Sequence, residues 1–247
     1  MPGDADIARI CALIGDPSRA RVLMALADGR ALPAGMLAGE AGVSASTVSE
    51  HLRRLLDGRL VVVERQGRTR YYRLAGPQVA EALEAVARIA PPEPVRSLRQ
   101  GTHAHALRRA RTCYNHLAGR LGTALMAALL RDGVLTGEHR RGVGADRLAG
   151  PGHEIAYRLT PHGRRTLEEL GLDLAVLRGR RDPIRYCLDW SEQRHHLAGP
   201  LGAAVTDRVF ALGWLRRTDR RRVVVLTDVG RDGFGRLGVP DDWDAAA

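Results

Sequence analysis

The segment from Gly42 to Leu74, GVSASTVSEHLRRLLDGRLVVVERQGRTRYYRL, limits what this chain can fold into more than any other stretch. Ser44 stands where an N-cap is needed, since its hydroxyl can accept from a first-turn amide. Val43 and Val48 have the spacing of a hydrophobic staple. Val48, Leu52, Leu55 and Leu56 then share one helical face. The opposite face carries Ser46, Glu50 and Arg53, flanked by Thr47, Ser49 and Arg54. Short hydroxyls near the start and arginines further along suit a helix inserted in a major groove. An ordinary amphipathic helix with a solvated face has the same stripe. Past Gly58, β-branched and aromatic residues lie on both sides of a tip containing Gly67, which reads as a hairpin. Its tip and far strand carry Arg65, Arg68, Arg70 and Arg73, placed for phosphates or the minor groove. A reading helix followed by a basic hairpin is a winged helix.

The flanking segments supply the rest of such a domain. Residues 4–14 read as a helix with Ile7, Ile10, Cys11 and Ile14 on one side, and Cys11 is expected to be a small buried hydrophobe. Asp16 and Pro17 start a second helix as cap and first position, with Val22, Leu23 and Leu26 as its core face and Gly29 at its end. Residues 33–41 make a short third helix. In 77–90, Val79, Leu83, Val86 and Ile89 form an apolar stripe at helical spacing. Pro91, Pro92 and Pro94 end it, and 91–102 is expected to be a linker.

Three pieces in this order, LIGDPSRARVLMALADG at 13–29, LAGEAGVSASTVSEHLRRL at 37–55 and ERQGRTRYYRL at 64–74, resemble regulators of the ArsR type. The resemblance covers residues from about Ile7 to Ala90. It implies that the helix at 44–56 reads DNA and that helices 4–14 and 77–90 pair with their copies in a homodimer. Metal sensors in that family use a Cys-x-Cys pair before the reading helix, at positions held here by Pro33 and Gly35. Others use Asp and His on the last dimer helix, and 77–90 contains neither. Both of those sites are absent.

Charge agrees with a polyanionic partner. The net charge is +10, and all 38 basic residues are arginine. No window of 18 residues is uncharged and apolar, so no membrane span is expected. The opening MPGDADIARI lacks a basic segment leading into an apolar run, so no signal peptide is read there. Three cysteines in 247 residues make no disulfide framework, and a reducing cytoplasm is the expected location.

The second half contains an internal repeat. His116–Leu125 matches His196–Val205 at seven of ten positions with an offset of 80. Leu159-Thr160-x-x-Gly163-Arg164 recurs as Leu226-Thr227-x-x-Gly230-Arg231. Each copy reads as helix, strand, longer connection, strand ending Leu-Thr, then helix: a partial winged helix. The copies are expected to pack about a pseudo-two-fold axis, with Ala118, Gly119 and Gly122 and their counterparts Ala198, Gly199 and Gly202 bringing the two first helices close.

Candidate chemistry in this half is sparse. Cys113 and His116 are three apart on an expected helix, hence on one face. Cys187, Asp189, His195 and His196 stand before the equivalent helix. Thiolate plus imidazole suits zinc or another transition metal, so Cys113, His116, Cys187 and His196 are weak metal candidates, although no cofactor is predicted. Two cysteines brought together would instead be a thiol switch, and His116 and His196 would serve structure if they only hydrogen-bond across the repeat. The favoured reading is an organic effector in a cleft lined by Cys113, Tyr114, His116, Cys187, Asp189, Trp190, His195, His196 and Trp214. Enzyme motifs fail: Gly142-Val143-Gly144 follows no strand, and P-loop, Gly-x-Ser-x-Gly and HExxH patterns are missing.

The sequence thus predicts a mainly α protein with small β wings (α+β). A winged helix-turn-helix occupies 1–95. A sensor or interaction domain of two winged-helix-like half-repeats, 103–173 and 187–239, occupies 96–247. The DNA contacts are expected from Ser44, Ser46, Thr47, Ser49, Glu50, Arg53, Arg54, Arg65, Arg68 and Arg70. The function read from this is a ligand-responsive repressor that binds a pseudo-palindromic operator as a dimer. The alternatives are a constitutive DNA binder whose extension serves assembly, and a DNA-binding head on a catalytic domain.

Overall fold

A computed structural model describes residues 4–139, 155–179 and 183–245. Chain contacts divide it into two units, Met1–Val86 and Ala87–Ala247.

The first unit begins with α1 (Ile7–Ile14), capped by Asp6, and α2 (Pro17–Leu26), capped by Asp16 with proline at its first turn. Arg19 closes the corner between them. Its guanidinium donates to the carbonyls of Ala12 and Leu13, which the end of α1 leaves without helical partners. After β1 (Leu32–Pro33) come α3 (Ala34–Ala41) and α4 (Ala45–Asp57), joined by Gly42 in the left-handed conformation at φ 67°. Val22, Leu23, Leu26, Leu37, Val48, Leu52 and Leu55 are buried together as the unit's core. The wing is β2 (Val61–Gln66) against β3 (Thr69–Leu74), with β1 on the other edge of β3.

Helix α5 (Pro77–Ile89) is split along its stripe. Val79 and Leu83 are buried, whereas Val86 and Ile89 are 45% and 85% exposed. Cys11, expected inside, is exposed, and α1 has no buried residue. Among the described residues nothing covers the outer face of α1.

The second unit opens with α6 (Leu98–Arg109), capped by Ser97, so the expected linker 91–102 ends earlier than its prolines suggested. Each copy then follows one plan: hairpin, helix, hairpin, helix. The first has β4 (Arg111–Cys113) and β5 (His116–Ala118), α7 (Gly119–Arg131), β6 (Leu135–His139) and β7 (Ile155–Leu159), and α8 (Pro161–Glu169). The second has β8 (Arg185–Leu188) and β9 (His195–Ala198), α9 (Gly199–Ala211), β10 (Leu215–Arg217) and β11 (Val224–Leu226), and α10 (Asp228–Arg236). The leading hairpins correct the sequence reading, which placed residues 113–118 on a helix. Tyr114 turns the chain at φ 56°, and Gly119, at φ 76°, starts the helix only after His116–Ala118 has run as a strand.

The repeated motifs now have physical causes. Thr160 and Thr227 cap α8 and α10 identically: each hydroxyl accepts from the amide three residues on, Gly163 or Gly230, and donates to the carbonyl of Gly133 or Gly213. Gly163 and Gly230 lie so close to the carbonyls of Val134 and Trp214 that no Cβ fits. The other glycines do not bring α7 onto α9. A Cβ on Gly122 would meet the Leu117 carbonyl at 2.6 Å and the His196 Cβ at 3.6 Å; one on Gly202 would meet the Leu197 carbonyl at 2.7 Å and the His116 Cβ at 3.3 Å. Each helix therefore lies on both hairpins, α7 against β9 and α9 against β5, and β5 faces β9. This exchange is the pseudo-two-fold relation. Leu121, Leu125 and Leu129 of one copy share a continuous core with Leu201, Val205 and Val209 of the other.

The glycine geometry gives a paired test. Gly163→Ala is expected to lower stability by about 1–3 kcal/mol, because the new methyl has a backbone carbonyl in its place. Gly35→Ala, in α3 with open space around it, should instead raise stability by about 0.5–1 kcal/mol. Urea unfolding of the two variants checks both signs.

Candidate nucleic-acid interface and a Cys-His cluster

The exposed face of α4 begins with a cluster of hydroxyls. Ser44 Oγ accepts from the Thr47 amide at 3.2 Å and lies 2.9 Å from Ser46 Oγ and 2.8 Å from Thr47 Oγ1. Ser49 donates back to the Ala45 carbonyl at 2.8 Å. Further along, Glu50 accepts from Arg53 at 2.7 and 2.9 Å and from Arg54 at 2.9 Å, and Arg53 also reaches Asp57. The bonds from Arg53, then Arg54, pull the Glu50 carboxyl down to about 2. The helix thus presents ordered hydroxyls and a charge-balanced patch.

The wing differs. Arg65 and Arg70 face each other across β2 and β3, and Arg68 follows Gly67 at the tip. All three are exposed, and among the described residues they have no acidic partner. Arg73, by contrast, donates to Glu64 at 2.7 Å.

In the second unit, the two leading hairpins hold equivalent pairs. Cys113 is the cross-strand partner of His116, and Cys187 is that of His196. Since β5 faces β9, the four side chains meet: their ligand atoms lie within 4.8 Å of one another. Cys113, His116 and His196 are buried, and Cys187 is partly so. The imidazoles stack at 5.1 Å. Alignment on His-Leu-Ala-Gly hides this equivalence, because two residues separate Cys from His in the first copy and eight in the second.

Behind the four lies a network that joins Arg111 and the start of α7 in the first copy to one loop of the second. Asp189 and Arg111 are both fully buried. Asp189 Oδ1 accepts from Arg111 Nη2 at 2.8 Å and from the amide and hydroxyl of Ser191 at 3.0 and 2.8 Å. Its Oδ2 accepts from the Gly119 amide at 2.7 Å, capping α7 from the other copy, and stands 3.2 Å from His196 Nδ1. Burial opposes a charged Asp189, yet His196 and Arg111 hold its carboxyl far below the usual range. Burial likewise pushes His196 down, but Asp189 and Cys113 outweigh it and raise the imidazole to about 9.

The remaining nominated residues divide. Trp190 lies under the Arg111 guanidinium at 4.7 Å. His195 bonds the Tyr157 hydroxyl at 2.8 Å and stacks on Tyr186 at 4.0 Å. Tyr114 occupies the first hairpin's turn. Trp214 packs on Phe234 in the core. A shallow open groove of about 290 Å³ runs along Thr123, Met126, Ala127, Leu130, Tyr157, Gln193, Arg194 and His195, so it takes in one of the nine effector candidates. Gly142-Val143-Gly144 falls outside the described residues. Sequence reasoning missed Arg111, Ser191, Tyr157 and Tyr186. Arg111 stood two residues before Cys113 but was one arginine among 38.

Asp189→Asn tests the network. It leaves the Arg111 and His196 charges buried without a counter-ion, and should cost about 3–5 kcal/mol in chemical unfolding. A loss under 1 kcal/mol would mean that the pair contributes little to the second unit.

Comparison with known proteins gives matches to the first unit and a match along nearly the whole chain. A helix-turn-helix domain model matches residues 14–64. The uncharacterized HTH-type transcriptional regulator YdfF of Bacillus subtilis is 37% identical over 230 residues, 93% of this chain and 95% of its own. The HTH-type transcriptional regulator CmtR of Mycobacterium tuberculosis is 41% identical over 80 residues, 32% of this chain and 67% of its own. Among solved structures, the homodimeric winged helix-turn-helix DNA-binding domain of a possible ArsR-family regulator from Mycobacterium bovis covers 35% of this chain and 86% of its own, at 31% identity and a TM-score of 0.31. No helix among the described residues is long and apolar enough to cross a membrane.

Proposed function

The chain belongs to the HTH-type transcriptional regulators, and from that premise and its resemblance to the ArsR type we propose that it acts as a homodimeric, ligand-responsive repressor on a pseudo-palindromic operator. The observation that carries the DNA reading is the wing tip. Like charges directly opposite on a hairpin are destabilising, and Arg65 and Arg70 are held so with no acid beside them. A phosphate backbone removes that repulsion and gains charge-assisted bonds. The helix does a different job. Its hydroxyls at Ser46 and Thr47 are short enough to meet base edges, with Ser44 and Ser49 ordering the first turn.

The dimer reading rests on exposed apolar surface. Ile7, 68% exposed, on α1 and Val86 and Ile89 on α5 are large hydrophobes open to water in one chain, and covering them with a second copy would remove that cost. Two reading helices then meet half-sites one helical turn apart, roughly 34–36 Å. A regulator of this build needs no reaction chemistry of its own, and we read the second unit as non-catalytic.

Three sets of variants test the reading by fluorescence anisotropy on selected operator DNA. Arg68→Ala and Arg70→Ala should weaken binding to all sequences and each flatten the salt slope by about 1. Ser46→Ala with Thr47→Ala should change the preferred sequence. Glu50→Ala should go the other way: it releases Arg53 and Arg54, raising affinity for any duplex and steepening the salt dependence. Binding that is indifferent to all three sets would remove α4 and the wing from the interface. For the dimer, Val86→Glu should give a monomer by light scattering and lose the operator, since it puts an unpaired charge into the seam. A stable dimer would place the seam elsewhere.

A further inference from the structure

From the juxtaposition of Cys113, His116, Cys187 and His196 across the two leading hairpins, we infer that the second unit binds one tetrahedral divalent transition-metal ion of the zinc class. Two thiolates and two imidazoles are the donor set of closed zinc sites. Their spread fits as well. A tetrahedron with metal–sulfur bonds of about 2.3 Å and metal–nitrogen bonds of about 2.0 Å has edges of roughly 3.3–3.8 Å. The four ligand atoms already lie within 4.8 Å, so about one ångström of contraction completes the shell.

Three further observations point to an ion rather than to chance packing. First, His116 is 6% exposed, and its Nε2 is buried without a hydrogen-bond partner. A buried imidazole nitrogen left so is costly in a packed interface, and a metal bond would satisfy it. Second, His196 has the surroundings of a ligand: its Nδ1 stands 3.2 Å from the Asp189 carboxylate. Metal-bound histidines characteristically give their other ring nitrogen to a carboxylate, which fixes the tautomer. That leaves Nε2 for the ion. Third, the charges balance. Two thiolates neutralise a divalent cation, and Asp189 already has Arg111, so the filled site adds no net charge to a buried place. Binding releases the two thiol protons and the proton on His196 Nε2 to solvent.

The position says what the ion does. Each copy contributes one cysteine and one histidine at the same register positions, so the bound metal ties the copies together on their pseudo-two-fold axis. The site lies outside residues 14–64, which match the helix-turn-helix model. It does not depend on the DNA reading, and its test uses no DNA.

The full-length protein, reduced and stripped by a chelator, is titrated with Co²⁺ as a spectroscopic probe and then with Zn²⁺. The expected result is one Co²⁺ per chain, with the visible bands of tetrahedral cobalt and the near-ultraviolet thiolate-to-cobalt charge transfer, displaced by Zn²⁺. Zn²⁺ should also raise the melting temperature. Cys113→Ser, Cys187→Ser and His116→Ala should weaken binding at least tenfold, whereas Cys11→Ser, at the exposed cysteine of α1, should leave it unchanged. If the variants do not fold, the wild-type spectrum alone decides: a folded chain without thiolate-to-cobalt charge transfer overturns the proposal. So does a spectrum lost in Cys11→Ser and kept in Cys113→Ser. A Cys113–Cys187 disulfide that persists under reducing conditions and excludes the metal also overturns it.

Discussion

The second unit depends on one buried ion pair, Arg111 with Asp189. Taking a guanidinium and a carboxylate out of water costs several kcal/mol for each ion, and attraction between them offsets this only when the remaining donors and acceptors are also used. Here they are. Asp189 accepts from Arg111, the backbone and hydroxyl of Ser191, the amide of Glu192 and the first amide of α7, and it faces His196. Arg111 also donates to the Leu107 carbonyl and the Ser191 hydroxyl, with Trp190 over its face. The carboxylate at the start of α7 also sits at the positive end of the helix dipole. One side chain thus caps a helix and neutralises an arginine of the other copy, and faces a histidine of its own hairpin.

That frame is symmetric where it carries load and asymmetric where the charges are. The Thr caps, the tight glycines and the core leucines and valines occur twice with the same partners. The leading hairpins are unequal: the longer one supplies Asp189, Trp190 and Ser191, and the shorter one supplies Arg111. A cation on one side and an anion on the other can pair in a single way, which favours one arrangement of two otherwise interchangeable halves. The cysteine and histidine pairs sit between these two regimes. They are equivalent in register, but Asp189 orients just one of the two imidazoles.

The first unit was legible in the sequence because its signals are local. Caps at Asp16 and Ser44, the left-handed Gly42 and the stripe Val48-Leu52-Leu55 each act within one turn. What a single chain hides is the fate of surface that a second copy would cover, so Cys11 and Val86 read as buried and are exposed. In the second unit the repeat was visible, but its first element was not. Cys113 and His116 fit a helix by spacing alone, and the positive φ of Tyr114 and Gly119 that makes a hairpin leaves little trace in composition. Asp189 was nominated from the sequence, but its pairing with Arg111 was illegible for another reason: it joins residues 78 apart, and nothing local marks Arg111.

The two halves of the proposed DNA-facing surface follow opposite electrostatic rules, and on that reading this divides their labour. On α4, Glu50 holds Arg53 and Arg54, and Asp57 takes a further bond from Arg53. Exposed pairs of this kind are worth little in stability, so their effect is on binding: a phosphate must compete with Glu50 for each arginine. On the proposed reading the helix therefore gains little from an arbitrary duplex, and its gain comes from base edges meeting Ser46 and Thr47. On the wing, Arg65, Arg68 and Arg70 have no acidic competitor among the described residues, and on the proposed reading any phosphate backbone suffices. On the proposed reading the wing supplies affinity that falls with salt. The helix, with its charge held in check by its own carboxylate, keeps that affinity from swamping selection.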